Sequence, residues 1–222
     1  MEQQTAVVIG ATGLIGTHVV QKLLSDDRFT IVRTLSRRPL VFNHPKLQQK
    51  IVNFNDLNDF KTKLGEGDTI FSCIGTTQKN VKGNNKEYKK IDYDIPLQAA
   101  KAGVLQGFKK ISIVSSVGAD AASSNFYLQL KGKIENDIKA LPFESVSIFR
   151  PSMLLGQRMV KRRFEKILQG SIKFISGFMI GALQKYHSIY AKDVAEAMIA
   201  ESKQDNTGIH IFEYKEIMHL IR

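Results

Sequence analysis

The chain of 222 residues has a single cysteine, Cys73, and no apolar run long enough to span a bilayer. One cysteine excludes an intramolecular disulfide framework and favours a reducing compartment. A transmembrane helix needs about 18–20 apolar residues, and the long apolar stretch at 174–183 is broken by a serine and two glycines. Residues 1–4 are polar and no secretory signal pattern follows them, so the sequence predicts a cytoplasmic protein.

Motifs of several functional classes are also missing. No metal-ligand spacing of His, Cys, Asp or Glu occurs, so no metal site is predicted. Gly-x-Ser-x-Gly is absent, and hydrolase chemistry has no support. The formal charge of 32 − 21 = +11 favours anionic partners such as a phosphorylated cofactor, a nucleic acid or a membrane surface, or is simply a solvated basic surface. Without zinc-finger or RNP-type spacing, we expect a small-molecule substrate and no nucleic acid.

What the chain does contain is an alternation of strand-like and helix-like stretches. The predicted strands are residues 6–9, 29–35, 50–54, 69–74, 110–115, 145–149 and 209–212, and the predicted helices are residues 14–24, 56–64, 85–102, 126–140, 160–169, 173–183 and 193–201. This order predicts an α/β fold with a doubly wound parallel sheet of the Rossmann type.

Three glycines follow the first predicted strand and open the first predicted helix, in the run Gly10-Ala11-Thr12-Gly13-Leu14-Ile15-Gly16. A dinucleotide site needs a glycine for the tight turn, one that lets the backbone approach the pyrophosphate, and one for close helix–strand packing. The helix N-terminus then offers N–H groups and a positive dipole to the phosphates. An ordinary glycine-rich turn is the alternative, and the flanking strand and helix disfavour it.

The end of the second predicted strand indicates which dinucleotide is bound. NAD sites usually carry an acidic residue there, whereas arginine accommodates the 2′-phosphate of NADP. The chain has Ser36-Arg37-Arg38 and no Asp or Glu between Arg28 and Leu47. We predict NADP(H), with NAD(H) less favoured and two solvated loop arginines as the alternative. Residues 1–222 are interpreted as a single NAD(P)-binding Rossmann domain, in which residues 151–222 form a small C-terminal elaboration that covers the substrate.

Tyr127 and Lys131 are four residues apart, so a helix places them on one face. A free tyrosine, with a pKa near 10, is a poor base at neutral pH, but a lysine charge and an oxidised nicotinamide favour its phenolate. Such a tyrosine can exchange a proton with an alcohol or carbonyl while the cofactor exchanges hydride. Lys131 can also hold the nicotinamide ribose. The alternative is a packed tyrosine beside a solvated lysine, since Tyr-containing pairs at this spacing arise elsewhere in the chain.

Together these features resemble the short-chain dehydrogenase/reductase superfamily, and within it the Tat-interacting-protein type of atypical oxidoreductase and its small bacterial relatives. The resemblance covers almost the whole chain. Four further segments carry it: CIGTT at 73–77, SSVGAD at 115–120, SNFYLQLKG at 124–132 and FRP at 149–151.

The resemblance implies a role for each segment. Gly75 and Thr76 would lie under the adenosine half of the cofactor, and Asn53 stands where relatives often carry an aspartate near the adenine amine. Pro151 and its neighbours would approach the nicotinamide carboxamide through backbone groups. Of the two strand-end serines, the later one is favoured to hold the substrate oxygen. The predicted catalytic residues are Ser116, Tyr127 and Lys131, and the predicted cofactor-binding residues are Gly10, Thr12, Gly13, Leu14, Ile15, Gly16, Ser36, Arg37, Arg38, Asn53, Cys73, Gly75, Thr76, Thr77, Ser115, Tyr127, Lys131, Pro151 and Ser152.

Two functions from different classes fit these residues. The first is an NADP(H)-dependent oxidoreductase that transfers hydride between the nicotinamide and a carbonyl or alcohol, with Tyr127 as general acid/base. The alternative is a non-catalytic NADP(H)-binding redox-sensing regulator or scaffold. The joint presence of Ser116, Tyr127 and Lys131 favours the enzyme, because a sensor does not need all three. A sugar-nucleotide epimerase ranks third, because the chain after Pro151 is short for that family's substrate domain.

The segment at residues 158–183 combines clustered basic residues with apolar ones. Such a segment can roof an apolar pocket, form the face of a homodimer, or lie on an anionic membrane surface. We favour the roof or the dimer face over the membrane surface, because compact folds usually bury apolar stripes.

Overall fold

The computed structural model describes residues 3–156 and 185–222. Its strands are β1 (Gln4–Ile9), β2 (Phe29–Ser36), β3 (Leu47–Ile51), β4 (Thr69–Ser72), β5 (Lys110–Val114), β6 (Ser145–Phe149), β7 (Leu154–Leu155), β8 (Ile189–Tyr190) and β9 (Gly208–Phe212). Its helices are α1 (Leu14–Leu24), α2 (Leu57–Leu64), α3 (Asn85–Lys89), α4 (Ile95–Leu105), α5 (Phe126–Lys139), α6 (Ala191–Ser202) and α7 (Tyr214–Leu220). A π-helical turn, Lys90–Asp94, joins α3 to α4.

Seven of the strands form one sheet in the order β3-β2-β1-β4-β5-β6-β9, and every neighbouring pair is parallel. The prediction of a doubly wound parallel α/β sheet is therefore confirmed. Strand order reverses between β1 and β4, and in such sheets ligands bind in the crevice at this point. The sheet thus places a candidate site at the carboxyl ends of β1 and β4.

The sheet separates two apolar layers, because successive side chains of a strand point to opposite faces. On one face, Ala6 and Val8 of β1 belong to a core cluster that includes residues of α1 and α6. On the other face, Val7 and Ile9 pack in a cluster with residues of α2, α4 and α5. All four β1 side chains are fully buried. Burial on both faces explains why this strand reads as an unbroken apolar run.

Two predicted elements differ from the structure. The third strand was predicted at residues 50–54, and its position is wrong by three residues. In the structure, Leu47–Ile51 pairs with β2 in parallel register from Val32 to Ser36. This strand lies at the sheet edge and is polar in its middle, so apolar patterning did not mark it. The single helix predicted at 85–102 contains the π-helical turn and ends at Leu105.

Several predictions fall where the structure gives no description. The helices predicted at 160–169 and 173–183, and the basic apolar segment at 158–183, lie outside the described residues. The role of residues 151–222 as a substrate cover consequently stays a prediction, although β9 from that part of the chain joins the main sheet beside β6. No helix of residues 3–156 and 185–222 has both the length and the apolar character needed to cross a membrane.

Candidate functional site

The glycine loop between β1 and α1 leaves no space for side chains. A Cβ atom on Gly10, whose φ is +82°, would lie 2.7 Å from the Cys73 backbone, and one on Gly16 would lie 2.1 Å from the Gly10 carbonyl oxygen. Gly13 caps α1, and no side chain caps the N–H groups of the first turn. The first turn also contains no acidic residue. These N–H groups and the helix dipole form a cradle for an anion such as a pyrophosphate.

A cavity of about 760 Å³ opens in front of this loop. It extends from the glycine loop, past the ends of β2 and β3, to the segment that follows β4. It brings together ten of the predicted cofactor residues: Gly10, Thr12, Gly13, Ser36, Arg37, Arg38, Asn53, Cys73, Gly75 and Thr76. The glycine cradle, the volume and the basic rim together fit a nicotinamide dinucleotide.

The two arginines at the cavity rim are exposed, and within the described part of the chain neither guanidinium has an ion-pair or hydrogen-bond partner. They are therefore available to a phosphate. Ser36 lies at the cavity wall, and its hydroxyl donates to the carbonyl oxygen of Arg38 at 2.6 Å. This hydrogen bond shapes the arginine loop. Cofactor binding by Ser36 stays a prediction.

Asn53, predicted near the adenine, is exposed at the cavity wall. Its side-chain oxygen accepts the Asn55 N–H at 3.1 Å, and its own backbone N–H donates to Asp59 at 2.8 Å. The position is thus held by a local turn, and the side-chain oxygen already has one partner.

Cys73 borders the cavity next to the glycine loop. Desolvation raises the pKa of its thiol to about 12, so the group stays protonated and is a weak nucleophile at neutral pH. The described residues hold no group of three or more His, Cys, Asp or Glu placed to bind a metal ion.

Behind the cavity, the ammonium of Lys131 forms a buried ion pair with Asp92. The Nζ atom lies 3.0 Å from Oδ1, and the two side chains are 6% and 1% exposed. Burial lowers the pKa of Lys131, but the charge and hydrogen bond of Asp92, together with Tyr127 and Glu135, more than offset it, so that pKa is raised above its ordinary value. The other carboxylate oxygen accepts the Thr76 N–H at 2.7 Å. Asp92 therefore joins the lysine of the predicted catalytic pair to the wall of the cavity.

Tyr127 lies one helical turn before Lys131, whose Nζ is 6.0 Å from the centre of the tyrosine ring. The predicted pair thus shares one face of α5. The ring of Tyr88 packs edge-on against Tyr127 at 6.3 Å, and its hydroxyl donates to the Thr76 carbonyl oxygen. Burial, followed by the charge of Asp92, raises the pKa of Tyr88 and keeps it neutral. Tyr127 is accordingly fixed between Lys131 and a neutral aromatic neighbour.

The two strand-end serines have different environments. Ser115 is buried, and its hydroxyl donates to Glu135, which also accepts two hydrogen bonds from Arg150. Ser116 is half-buried, and the one hydrogen bond of its hydroxyl to the described residues is a weak contact of 3.3 Å with the Val117 carbonyl oxygen. Ser115 is thus committed to the fold, and Ser116 is the serine with hydrogen-bonding capacity for a substrate.

Ser115, Ser116, Tyr127 and Lys131 do not border the cavity, and neither do the remaining predicted residues. Leu14, Ile15 and Gly16 lie in the first turn of α1, and Thr77 begins the turn after Thr76. The Pro151 carbonyl accepts the Val117 N–H at 3.0 Å, which holds it beside the serine loop. The Ser152 hydroxyl donates to the carbonyl oxygen of His187.

Sequence reasoning missed Asp92, and it also missed the cavity-lining residues Asn55, Asn80, Glu87 and Lys90. Tyr88 and Asp92 are an i, i+4 pair that looked accidental. A signal was present, because Tyr88, Asp92, Ile95 and Ala99 occupy one helical face, and all four are buried. A lone carboxylate on an apolar stripe is rare unless it is paired. The π-helical turn that carries it cannot be read from the sequence, although such turns frequently mark functional sites.

Comparison with known sequences identifies relatives along the whole chain. A sequence profile of the HIM1 family matches residues 36–180. The protein HTATIP2 of Rattus norvegicus is 29% identical over 99% of this chain and 90% of its own length. FMP52-1 of Scheffersomyces stipitis, named a mitochondrial protein, is 31% identical over 98% of this chain and 99% of its own.

Among solved structures, the enzyme WbmH of Bordetella bronchiseptica, in complex with NAD⁺, has a TM-score of 0.71. It is 13% identical, and the match covers 96% of this chain and 76% of WbmH. At this identity the likeness shows the fold alone.

The name of the yeast relative bears on cellular location. The sequence predicted a cytoplasmic protein, and that prediction is wrong, because close FMP52 relatives are named mitochondrial. The prediction considered only a secretory signal, a criterion that carries no information about organelles.

Proposed function

The chain belongs to the HIM1 family of atypical short-chain dehydrogenase/reductases of the Tat-interacting-protein type, and from its site we propose that it is an NADP(H)-dependent oxidoreductase that interconverts a carbonyl and an alcohol. One observation carries the proposal. Thr76, which borders the dinucleotide-sized cavity, is hydrogen-bonded to Asp92, the counterion of Lys131. Tyr127 and Lys131 do not line this cavity, but Asp92 connects Lys131 to the cavity wall at Thr76.

The choice of NADP(H) is supported by charge. Arg37 and Arg38 line the cavity, exposed and free of protein partners among residues 3–156 and 185–222. A phosphate placed between these residues can accept charge-assisted hydrogen bonds from either guanidinium. The N–H groups at the start of α1 would hold the pyrophosphate.

The chain's own residues would manage the proton and the substrate. Bound NADP(H) supplies or accepts the hydride. In the reducing direction, Tyr127 donates its phenol proton to the carbonyl oxygen as the carbon gains hydride, and the resulting phenolate regains a proton from water. The Lys131 ammonium stabilises that phenolate, and the Ser116 hydroxyl orients the reacting oxygen.

The test is isotope transfer with matched variants. NADPH deuterated at the nicotinamide C4 is incubated with a panel of aldehydes and ketones, and the alcohols are analysed for deuterium by mass spectrometry. The account predicts label in at least one alcohol, and a rate for Tyr127→Phe that is about 10²–10⁴-fold lower. Tyr190→Phe, at an exposed tyrosine of β8, is the control and keeps the wild-type rate.

Two results would contradict this proposal. A near wild-type rate for Tyr127→Phe would remove this residue from the mechanism. Tight NADPH binding without deuterium transfer to any compound of the panel would favour the non-catalytic NADP(H)-binding regulator instead.

A further inference from the structure

Asp92 links the lysine of the predicted proton-transfer pair to the wall of the cavity. One carboxylate oxygen lies 3.0 Å from the Lys131 ammonium, and the other accepts the Thr76 N–H at 2.7 Å. The same π-helical turn contributes Lys90 and Ile91 to the cavity wall. The carboxylate is 1% exposed, so no water shields its charge from the neighbouring groups.

The charged and titratable groups that face Lys131 are few. The π-helical turn contributes Asp92, and α5 itself contributes Tyr127 and Glu135. From β5 comes the Val114 carbonyl oxygen, at 3.5 Å. Glu135 is already engaged by Arg150. Among the described residues, Asp92 is therefore the principal negative charge acting on Lys131.

This pairing changes what Lys131 does to Tyr127. An isolated ammonium would favour the phenolate strongly, but an ammonium with a carboxylate at 3.0 Å acts as a dipole with no net charge. We propose that Asp92 is a positioning residue that holds Lys131 in place and sets the pH at which the Tyr127–Lys131 pair releases its first proton. This inference rests on the proposed function, because the proton concerned is the one that Tyr127 transfers in that reaction.

The prediction does not depend on which member of the pair loses the proton. A nearby negative charge opposes deprotonation of both the phenol and the ammonium, so its removal lowers the first macroscopic pKa of the coupled pair. In Asp92→Asn, the amide oxygen can still accept the Thr76 N–H while the charge is gone. We expect the first transition to move at least about one pH unit lower.

The experiment is an NMR titration of the full chain, with no substrate required. Tyrosine ring carbons and lysine ε-carbons are labelled with ¹³C. The signal of Tyr127, one of six tyrosines, is assigned with Tyr127→Phe, and that of Lys131 with Lys131→Met. The control is Asp94→Asn. Asp94 lies in the same π-helical turn as Asp92, but its carboxylate is partly exposed and pairs with Lys89. This control should leave the transition in place, and Asp92→Glu should restore most of the wild-type value.

If the first titration step of the Tyr127–Lys131 pair has the same pKa in folded Asp92→Asn as in the wild type, the proposal is overturned and Asp92 is only a structural counterion. If that variant does not fold, Asp92→Asn/Lys131→Met, which removes both charges, is compared with Lys131→Met. The Tyr127 transition should then lie lower in the double variant, and equal values would overturn the proposal. Because the titration needs no turnover, its result is separable from the isotope-transfer test of the proposed function.

Discussion

The hydroxyl of Ser36 donates a hydrogen bond to the carbonyl oxygen of Arg38 at 2.6 Å. This bond closes a short loop at the end of β2 and leaves the Arg37 and Arg38 side chains at the cavity rim. The sequence predicted that Ser36 binds the cofactor, and the structure adds a role for its hydroxyl in ordering the arginine loop. A loop ordered before binding loses less entropy when the ligand arrives.

Ser36→Ala should therefore weaken NADP⁺ binding without adding or removing charge. Loss of one neutral hydrogen bond predicts an affinity about 2- to 12-fold lower. Isothermal titration calorimetry measures it. Ser25→Ala is the matched control, because its hydroxyl also donates to a backbone carbonyl, that of Gln21, but at the far end of α1. Equal losses in both variants would show that the Ser36 bond has no specific role in the site.

Gly16→Ala should destabilise the fold, whereas Gly75→Ala should be tolerated. A methyl group on Gly16 would lie 2.1 Å from the Gly10 carbonyl oxygen, a backbone atom that cannot move aside alone. One on Gly75 would meet only the Asp92 carboxylate, at 3.5 Å. Overpacking of about 1–3 kcal/mol lowers Tm by about 2–12 °C in a domain of this size. Thermal unfolding by circular dichroism checks it, and an unchanged Tm for Gly16→Ala would contradict the close helix–loop packing.

Glu135→Gln should cost more stability than the loss of any surface pair. Glu135 is 1% exposed and accepts hydrogen bonds from Ser115 and Arg150, and its hydrogen bond raises the pKa of Arg150. Removal of the buried partner leaves Arg150, among the described residues, with only the longer ion-pair contact to Glu213 at 3.9 Å, at a cost on the order of 3 kcal/mol. Urea unfolding measures the change. Glu144→Gln, at an exposed carboxylate 3.6 Å from Lys109, is the control and should change the free energy of unfolding little. Equal losses would refute the structural role given to Ser115 and Glu135.

Much of this fold could be predicted from the sequence because its signals are local. The buried strand β6 and the helix α1 were predicted at their observed ends, since an apolar run and a 3.6-residue period lie within each element. The strand β3 was misplaced because its position depends on pairing with β2 rather than on its own polar residues. The helix α7 was missed, although its Glu213–Glu216 capping box is a readable start signal.

The candidate site also has parts that the sequence could predict and parts that it could not. The glycine loop and the arginines are contiguous in sequence, and the cavity brings them together. The Asp92–Lys131 pair joins residues 39 positions apart through a π-helical turn. Periodicity could mark Asp92 as a buried carboxylate, but it could not identify Lys131 as its partner. The sequence favoured Ser116 over Ser115, but the hydrogen bond that engages Ser115 goes to a distant residue, Glu135, which only the packed structure identifies.

The central claim is that the arginine loop selects NADP(H), and calorimetric titration of NADP⁺ and NAD⁺ at moderate ionic strength tests it most directly. One charge-assisted hydrogen bond contributes about 1.5–3 kcal/mol, so we expect an affinity for NADP⁺ about 10- to 150-fold above that for NAD⁺. The preference should collapse in Arg37→Ala/Arg38→Ala and persist in Lys61→Ala/Lys63→Ala on α2, which removes two charges from a helix that does not line the cavity. Equal affinities of the wild-type protein for the two cofactors, or a ratio unchanged in the arginine variant, would contradict the account.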